Sequence, residues 1–290
     1  MLLPAEKGQL HRFFLYDKLS KLERNALFCL VLIMSTQTNN QSLIERLFGA
    51  GAHFGFKKSR RHPSVTPFLF GTKEGNDIFN LEQTTSLIND VKAVLKEAGM
   101  NGKTVLFVGT KTEIVDSVKS AATKVQMPYV VNRWIGGMLT NIPEIKKRIM
   151  RMEELVREQE SGELERKYTK KERLLLSREL AKLNHNFKGI STITRTPDFM
   201  VVVDPRHDSI AIKEAHDMKV PVIGIMSSDC NVSLVTYPIL VNDALQGSVK
   251  LVLDELTSAI SEGKAAYVPK PATARPVINR TDSRPRPSRA

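Results

Sequence analysis

Asp204-Pro205-Arg206-His207-Asp208 places two carboxylates and an imidazole within one short stretch, a set suited to acid-base work or to metal binding. No Ser or Cys elbow accompanies it. The other histidines, His11, His53, His62, His185 and His216, show neither a His-Glu-x-x-His pattern nor paired-ligand spacing. Gly109-Thr110-Lys111 offers a second chemistry, because backbone N–H groups at a strand-to-helix turn can hold a phosphate. A P-loop is ruled out. Gly102-Lys103-Thr104 has Glu97 where that motif needs its first glycine, and it leads into a strand instead of a helix. Gly-x-Gly-x-x-Gly is absent as well. These residues therefore read as turns and caps, with no catalytic group and no cofactor expected. The rival reading from another class is a soluble nucleotide-binding α/β enzyme with a helical oligomerisation arm.

The elements that would position these residues alternate. Residues 104–108, 129–131, 199–203, 222–225 and 239–241 are short runs rich in Val, Ile and aromatics, of the length of buried parallel strands. Residues 113–125, 209–218 and 243–260 carry apolar side chains at helical spacing, the last ending at Glu262-Gly263 with a glycine stop. Strict alternation predicts an α/β fold with an open, mostly parallel sheet flanked by helices, of the flavodoxin or Rossmann kind. Residues 68–72 and 77–80, joined by Lys73-Glu74-Gly75-Asn76, read as an antiparallel hairpin ahead of that sheet.

One stretch breaks the alternation. Ile142, Ile145, Ile149, Met152 and Val156 recur at three- and four-residue intervals, as do Leu176, Leu180, Leu183 and Phe187, with Ser161-Gly162 between the runs. The spacing predicts a helical hairpin over 142–188, inserted into an α/β domain formed by 42–141 and 189–263. Its outer surface is basic: Lys146, Lys147, Arg148 and Arg151 on one arm, then Arg166, Lys167, Lys170, Lys171 and Arg173 at the entry to the other.

The chain has 43 Lys and Arg against 31 Asp and Glu, a formal charge of +12, so a polyanion is attracted before any specific contact forms. Candidate phosphate contacts are Lys57, Lys58, Arg60 and Arg61, with Arg133, Arg195 and the hairpin cations Lys146, Lys147, Arg148, Lys170, Lys171 and Arg173. Trp134, the single tryptophan, either stacks on a base or braces the Gly136-Gly137 turn beside it. Cys29 and Cys230 are too few for a disulfide framework or a thiolate zinc site, in keeping with a reducing cytoplasm.

Asn132-Arg133-Trp134-Ile135-Gly136-Gly137-Met138-Leu139-Thr140-Asn141 resembles the signature of the family of small-subunit ribosomal protein two, bacterial and organellar. The same resemblance extends to Gly51-Ala52-His53-Phe54-Gly55, Pro67-Phe68-Leu69-Phe70-Gly71, Asp77-Ile78-Phe79-Asn80-Leu81-Glu82-Gln83-Thr84, Leu106-Phe107-Val108-Gly109-Thr110-Lys111 and Ile210-Ala211-Ile212-Lys213-Glu214-Ala215. It implies a structural protein of the small ribosomal subunit that binds small-subunit ribosomal RNA and touches neighbouring ribosomal proteins, ribosomal protein one being a further partner in many bacteria. It also implies a coiled-coil hairpin at the position of 142–188, and a place on the cytoplasmic ribosome in preference to an organellar one. The chain departs from the family at Phe56, where a second histidine often follows Gly55, and at Asn132, where many members carry His.

Both ends are set apart. Residues 1–41 form an N-terminal extension; the apolar run Ala26 to Met34 is about half the roughly 20 residues a membrane-spanning helix needs, so no membrane partner is expected. Met34 is expected to be the biological start, with residues 1–33 an upstream extension of the reading frame; the alternative for 1–41 is a disordered extension. From Lys264 to Ala290 there are seven Lys or Arg, one Asp and five prolines, a composition that predicts a disordered basic tail.

Overall fold

The computed structural model describes residues 42–193 and 195–267. The expectations for the apolar run 26–34, for the start at Met34 and for most of the basic tail lie outside these residues.

Alternation of side chains along each strand decides the architecture. In β4 (Val105–Val108) and β6 (Phe199–Val203) every residue is buried, and successive side chains point to opposite faces of the sheet. Val105, Phe107, Val201 and Val203 join one hydrophobic cluster, whereas Leu106, Val108, Met200 and Val202 join another. A sheet that is apolar on both faces must be covered twice. With β5 (Tyr129–Val130), β7 (Val222–Met226) and β8 (Tyr237–Leu240) these strands form a five-stranded sheet in the order β5-β4-β6-β7-β8, and every pairing is parallel. The predicted parallel α/β sheet is therefore present.

The first face is covered by the helix over residues 42–49 (α1), α2 (Leu81–Met100), α3 (Val115–Lys124) and α8 (Gln246–Ala265). Helix α2 buries Ile88, Val91, Leu95 and Ala98 along one face, and the Asn80 side chain caps its start. Helices α2 and α8 cross with unusually little space between them. A Cβ on Gly99 would stand 2.8 Å from the Ile260 carbonyl oxygen, and one on Gly263 would overlap the Lys96 carbonyl. This corrects the reading of Gly263 as a helix stop: α8 runs through it to Ala265, because the missing side chain is needed for packing. Lys264 is accordingly helical and not the first tail residue, its Nζ donating to the Val125 carbonyl at 2.5 Å. The start also moves. Asp243 precedes α8 and lies in a loop.

Strands β2 (Leu69–Lys73) and β3 (Asn76–Phe79) form the expected antiparallel hairpin. Both central turn residues, Glu74 and Gly75, have positive φ (53° and 80°), the geometry whose twist matches a two-residue hairpin. A third strand, β1 (Phe54–Lys57), pairs with the other edge of β3.

The second face is covered by α7 (Ser209–Asp217) and by the helical arm. The arm consists of α4 (Ile142–Glu160), the short α5 (Glu163–Lys167) and α6 (Lys170–Phe187). Gly162, at φ 71°, turns the chain out of α4, and Thr169 with Glu172 forms a capping box at the start of α6. Ile145, Ile149, Met152 and Leu155 face Leu180, Leu183 and Phe187 across the seam, yet all belong to the same cluster as Leu106, Met138 and Met200. The arm thus does not bury its seam alone. Its base is part of the roof over the sheet. Among the described residues no helix is long and apolar enough to cross a membrane.

Candidate nucleic-acid interface

In open parallel sheets, ligands enter beyond the carboxyl ends of the strands where the strand order reverses, here between β4 and β6. That crevice is closed by its own side chains. Lys111, which follows β4, places Nζ 2.5 Å from Asp204 Oδ2 and 3.0 Å from Asp243 Oδ2. Thr110 Oγ1 lies 2.7 Å from Asp208 Oδ1 and 2.8 Å from His207 Nδ1. Asp204 sits at φ 60°, and its Oδ1 accepts the N–H groups of Arg206 and His207, so its carboxylate pins the loop before α7. Asp208 occupies the N-cap position of α7 but turns its carboxylate to Thr110 instead of capping the helix. Among the described residues no group of three His, Cys, Asp or Glu is arranged to hold a metal ion. Burial, reinforced by Asp204 and Asp229, pushes the Cys230 thiol far above its ordinary range. The lysine that might have met a phosphate is therefore an internal counter-ion.

The same cluster has a pH signature. Burial outweighs the pull of Lys111 and raises the Asp243 carboxyl from 3.8 to about 6. A group that binds its proton more readily folded than unfolded adds stability that is fully present below the unfolded value and is lost as pH rises through the folded one. Between pH 4 and 6 the parent should accordingly lose up to roughly 2–3 kcal/mol that Asp243→Asn does not lose. Denaturant midpoints for both proteins across that window check this; parallel profiles would contradict it.

The tryptophan turn is built around one carboxylate. Glu214, buried on α7, accepts from Trp134 Nε1 at 3.1 Å, from the Gly137 N–H at 2.8 Å and from the Leu139 N–H at 3.0 Å. Trp134 is only 7% exposed and belongs to the same hydrophobic cluster as Met138, Ile145 and Ala215. Its ring presents no free face to a base, so of the two roles open in the sequence the fold realises the brace. Asn141 takes the N-cap position of α4 without a side-chain cap bond. Arg133, next to the buried Trp134, points to solvent.

The other expected contact residues separate into two groups. Lys57, Lys58, Arg133, Lys146, Lys170 and Lys171 are exposed and make no ion pair among the described residues. Lys147 and Arg148 share Glu144, Arg173 faces Glu165 at 3.7 Å, and Arg195 faces Asp198 at 3.3 Å. These last pairs are exposed enough to contribute ~1 kcal/mol or less each, so their cations are readily exchanged onto another anion. Arg61 differs. Its guanidinium grips both oxygens of Asp77, whose side chain is fully buried, and this bond holds the Arg61 pKa above its ordinary value. Arg61 therefore fastens the hairpin sheet. Arg60 stacks its guanidinium 4.8 Å over the Phe56 ring and approaches Asp229 at 3.7 Å. Arg206, not anticipated from the sequence, reaches the same carboxylate at 2.9 Å.

The family model described as "Ribosomal protein S2" matches residues 47–263, a span that takes in the Trp134 turn, the arm and both sheets. The chain belongs to the ribosomal protein S2 family. Curated relatives agree: small ribosomal subunit protein uS2 of Sulfurimonas denitrificans is 40% identical over 219 residues, 76% of this chain and 84% of the relative. That of Corynebacterium diphtheriae is 39% identical over 226 residues, covering 77% and 84%. A protein of Emiliania huxleyi named uS2c is 37% identical over 221 residues, covering 76% and 96%. Membership of a ribosomal protein S2 family implies a ribosomal, structural role instead of a catalytic one, in agreement with a crevice closed by Lys111, Asp204 and Asp243.

Proposed function

We propose that this chain is a structural constituent of the small subunit of the cytoplasmic ribosome, where it binds small-subunit ribosomal RNA and contacts neighbouring ribosomal proteins. The observation that carries the reading is the group of exposed cations that make no ion pair among the described residues, Lys57 and Lys58 beside the hairpin sheet and Lys146, Lys170 and Lys171 on the arm. Cations without an internal partner keep their charge free for phosphates and release counter-ions on binding. Rigid helices and a pinned hairpin hold them, so little side-chain support has to be ordered when RNA arrives. The paired cations Lys147, Arg148, Arg173 and Arg195 form a reserve that exchanges an exposed carboxylate for phosphate. Ribosomal protein one is a further candidate partner of the same chain, and Arg61 does not contribute to the phosphate set because Asp77 holds it.

Salt titration tests the assignment. Affinity for small-subunit RNA should fall steeply with ionic strength, and Lys57→Gln with Lys58→Gln should reduce the log–log slope by about 1.4–1.8, two contacts at ~0.7–0.9 each. Arg61→Ala should instead lower stability, by roughly 3 kcal/mol, since it strands a buried carboxylate. Equal slopes for parent and Gln variant would remove Lys57 and Lys58 from the interface.

A further inference from the structure

A second feature of the basic surface was not accessible from the sequence, because it is assembled from three loops. Beyond the carboxyl ends of β6 and β7 lies a concavity of about 420 Å³, within the range that takes a small ligand and far too small for a duplex. Arg60, from the segment after β1, and Arg206, from the loop after β6, stand on its rim with more than half of each side chain exposed. They share one carboxylate, Asp229, which is nearly buried between them. Two guanidinium groups on one carboxylate leave a net positive rim. Each guanidinium has five N–H donors, and Asp229 engages Arg206 at 2.9 Å and Arg60 at 3.7 Å, so most donors remain turned outward. Phe56 beneath Arg60 and Asp229 beside Arg206 give each guanidinium one orienting contact before any ligand arrives. Pro205, Cys230 and the half-exposed Leu234 give the cavity an apolar wall.

We propose that this concavity receives one unpaired nucleotide of an RNA strand, with its phosphate spanning Arg60 and Arg206 and its base laid against Pro205 and Leu234. The inference rests on the RNA-binding reading above and adds to it a discrete site for a nucleotide outside a helix. Recognition of splayed-out nucleotides by a charged rim and a flat wall is a general solution for RNA, whose paired bases are hard to reach.

The test uses the full chain with small-subunit RNA carrying 4-thiouridine. Arg206→Ala should weaken RNA binding about tenfold and lower the salt slope by about 0.7–0.9, one phosphate contact. Asp229 keeps Arg60 as partner in that variant, and a melt matching the parent verifies the fold. Ser209→Trp, which fills the mouth of the cavity without changing charge, should abolish cross-links to the peptides carrying Pro205 and Leu234. Unchanged affinity and cross-links in both variants, alongside loss in the Lys57 and Lys58 variant, would overturn the pocket while leaving the RNA reading intact. A parent that shows no salt-dependent RNA binding would overturn both. If Arg206→Ala abolishes binding of free adenosine monophosphate but leaves RNA affinity untouched, the site serves free nucleotides and the assignment to RNA is wrong.

Discussion

Glu214→Ala is expected to destabilise the protein by about 3–5 kcal/mol, more than any other single change considered for this fold. The carboxylate is 7% exposed and accepts from the indole of Trp134 and from two backbone N–H groups, those of Gly137 and Leu139. Removing it leaves the buried donors of Trp134 and Leu139 and the half-buried N–H of Gly137 with no acceptor, and opens a gap between α7 and the turn that launches α4. Glu214→Gln retains one carbonyl acceptor but adds an NH₂ group that faces other donors, so it should fall between parent and Ala. Trp134→Phe loses one of the three bonds and should cost about 1–2 kcal/mol, with RNA affinity of the folded protein unchanged. Urea unfolding monitored by circular dichroism measures all three. A Trp134→Phe variant that folds like the parent but binds RNA several-fold more weakly would return the indole to the interface.

The arm carries the second large effect, and it divides into two parts. Excision of residues 142–188 behind a Gly-Ser linker should yield a chain that fails to fold cooperatively, since Ile145 and Ile149 lie against Leu106 and Met138, and the arm shares one hydrophobic cluster with these and Met200. Fully burying each such side chain contributes ~1.5–3 kcal/mol, so exposing the three covered ones costs about 4.5–9 kcal/mol, comparable with the ~5–15 kcal/mol that holds a domain of this kind together. The spacing of the apolar residues gave the arm a self-contained look; it could not show that the first two turns of α4 pack downward onto the sheet. Lys146→Gln with Lys170→Gln and Lys171→Gln should by contrast leave the melt unchanged, because all three are exposed and glutamine is nearly as good a helix former. RNA affinity at physiological salt should nonetheless fall by one to two orders of magnitude, about 2.1–2.7 units of slope being removed.

Sequence patterns made the sheet legible for a physical reason. Runs such as Val105–Val108 and Phe199–Val203 are short, Val-rich and apolar at every position, as a strand covered on both faces requires. The hairpin was legible through Glu74-Gly75. Strand β1 was not, since Phe54–Lys57 is short and its edge position is fixed by pairing with β3, a contact no local pattern encodes. The candidate interface was legible in kind, as a surplus of cations, but not in detail. Nothing in the sequence distinguishes Arg61, spent on buried Asp77, from Lys58 beside it, and nothing pairs Arg60 with Asp229 and Arg206 across loops far apart in the chain. Gly263 misled for a related reason: near a helix end a glycine reads as a stop, while here it admits the backbone of α2.

Sedimentation of a cell extract in a sucrose gradient, with the protein quantified in every fraction, tests the central claim most directly. Membership of the small subunit predicts that the chain co-migrates with small-subunit RNA in stoichiometric amount, and that the Lys146, Lys170 and Lys171 Gln variant shifts toward the top of the gradient. A parent protein found as a free pool at the top, with none in the small-subunit peak, would contradict it.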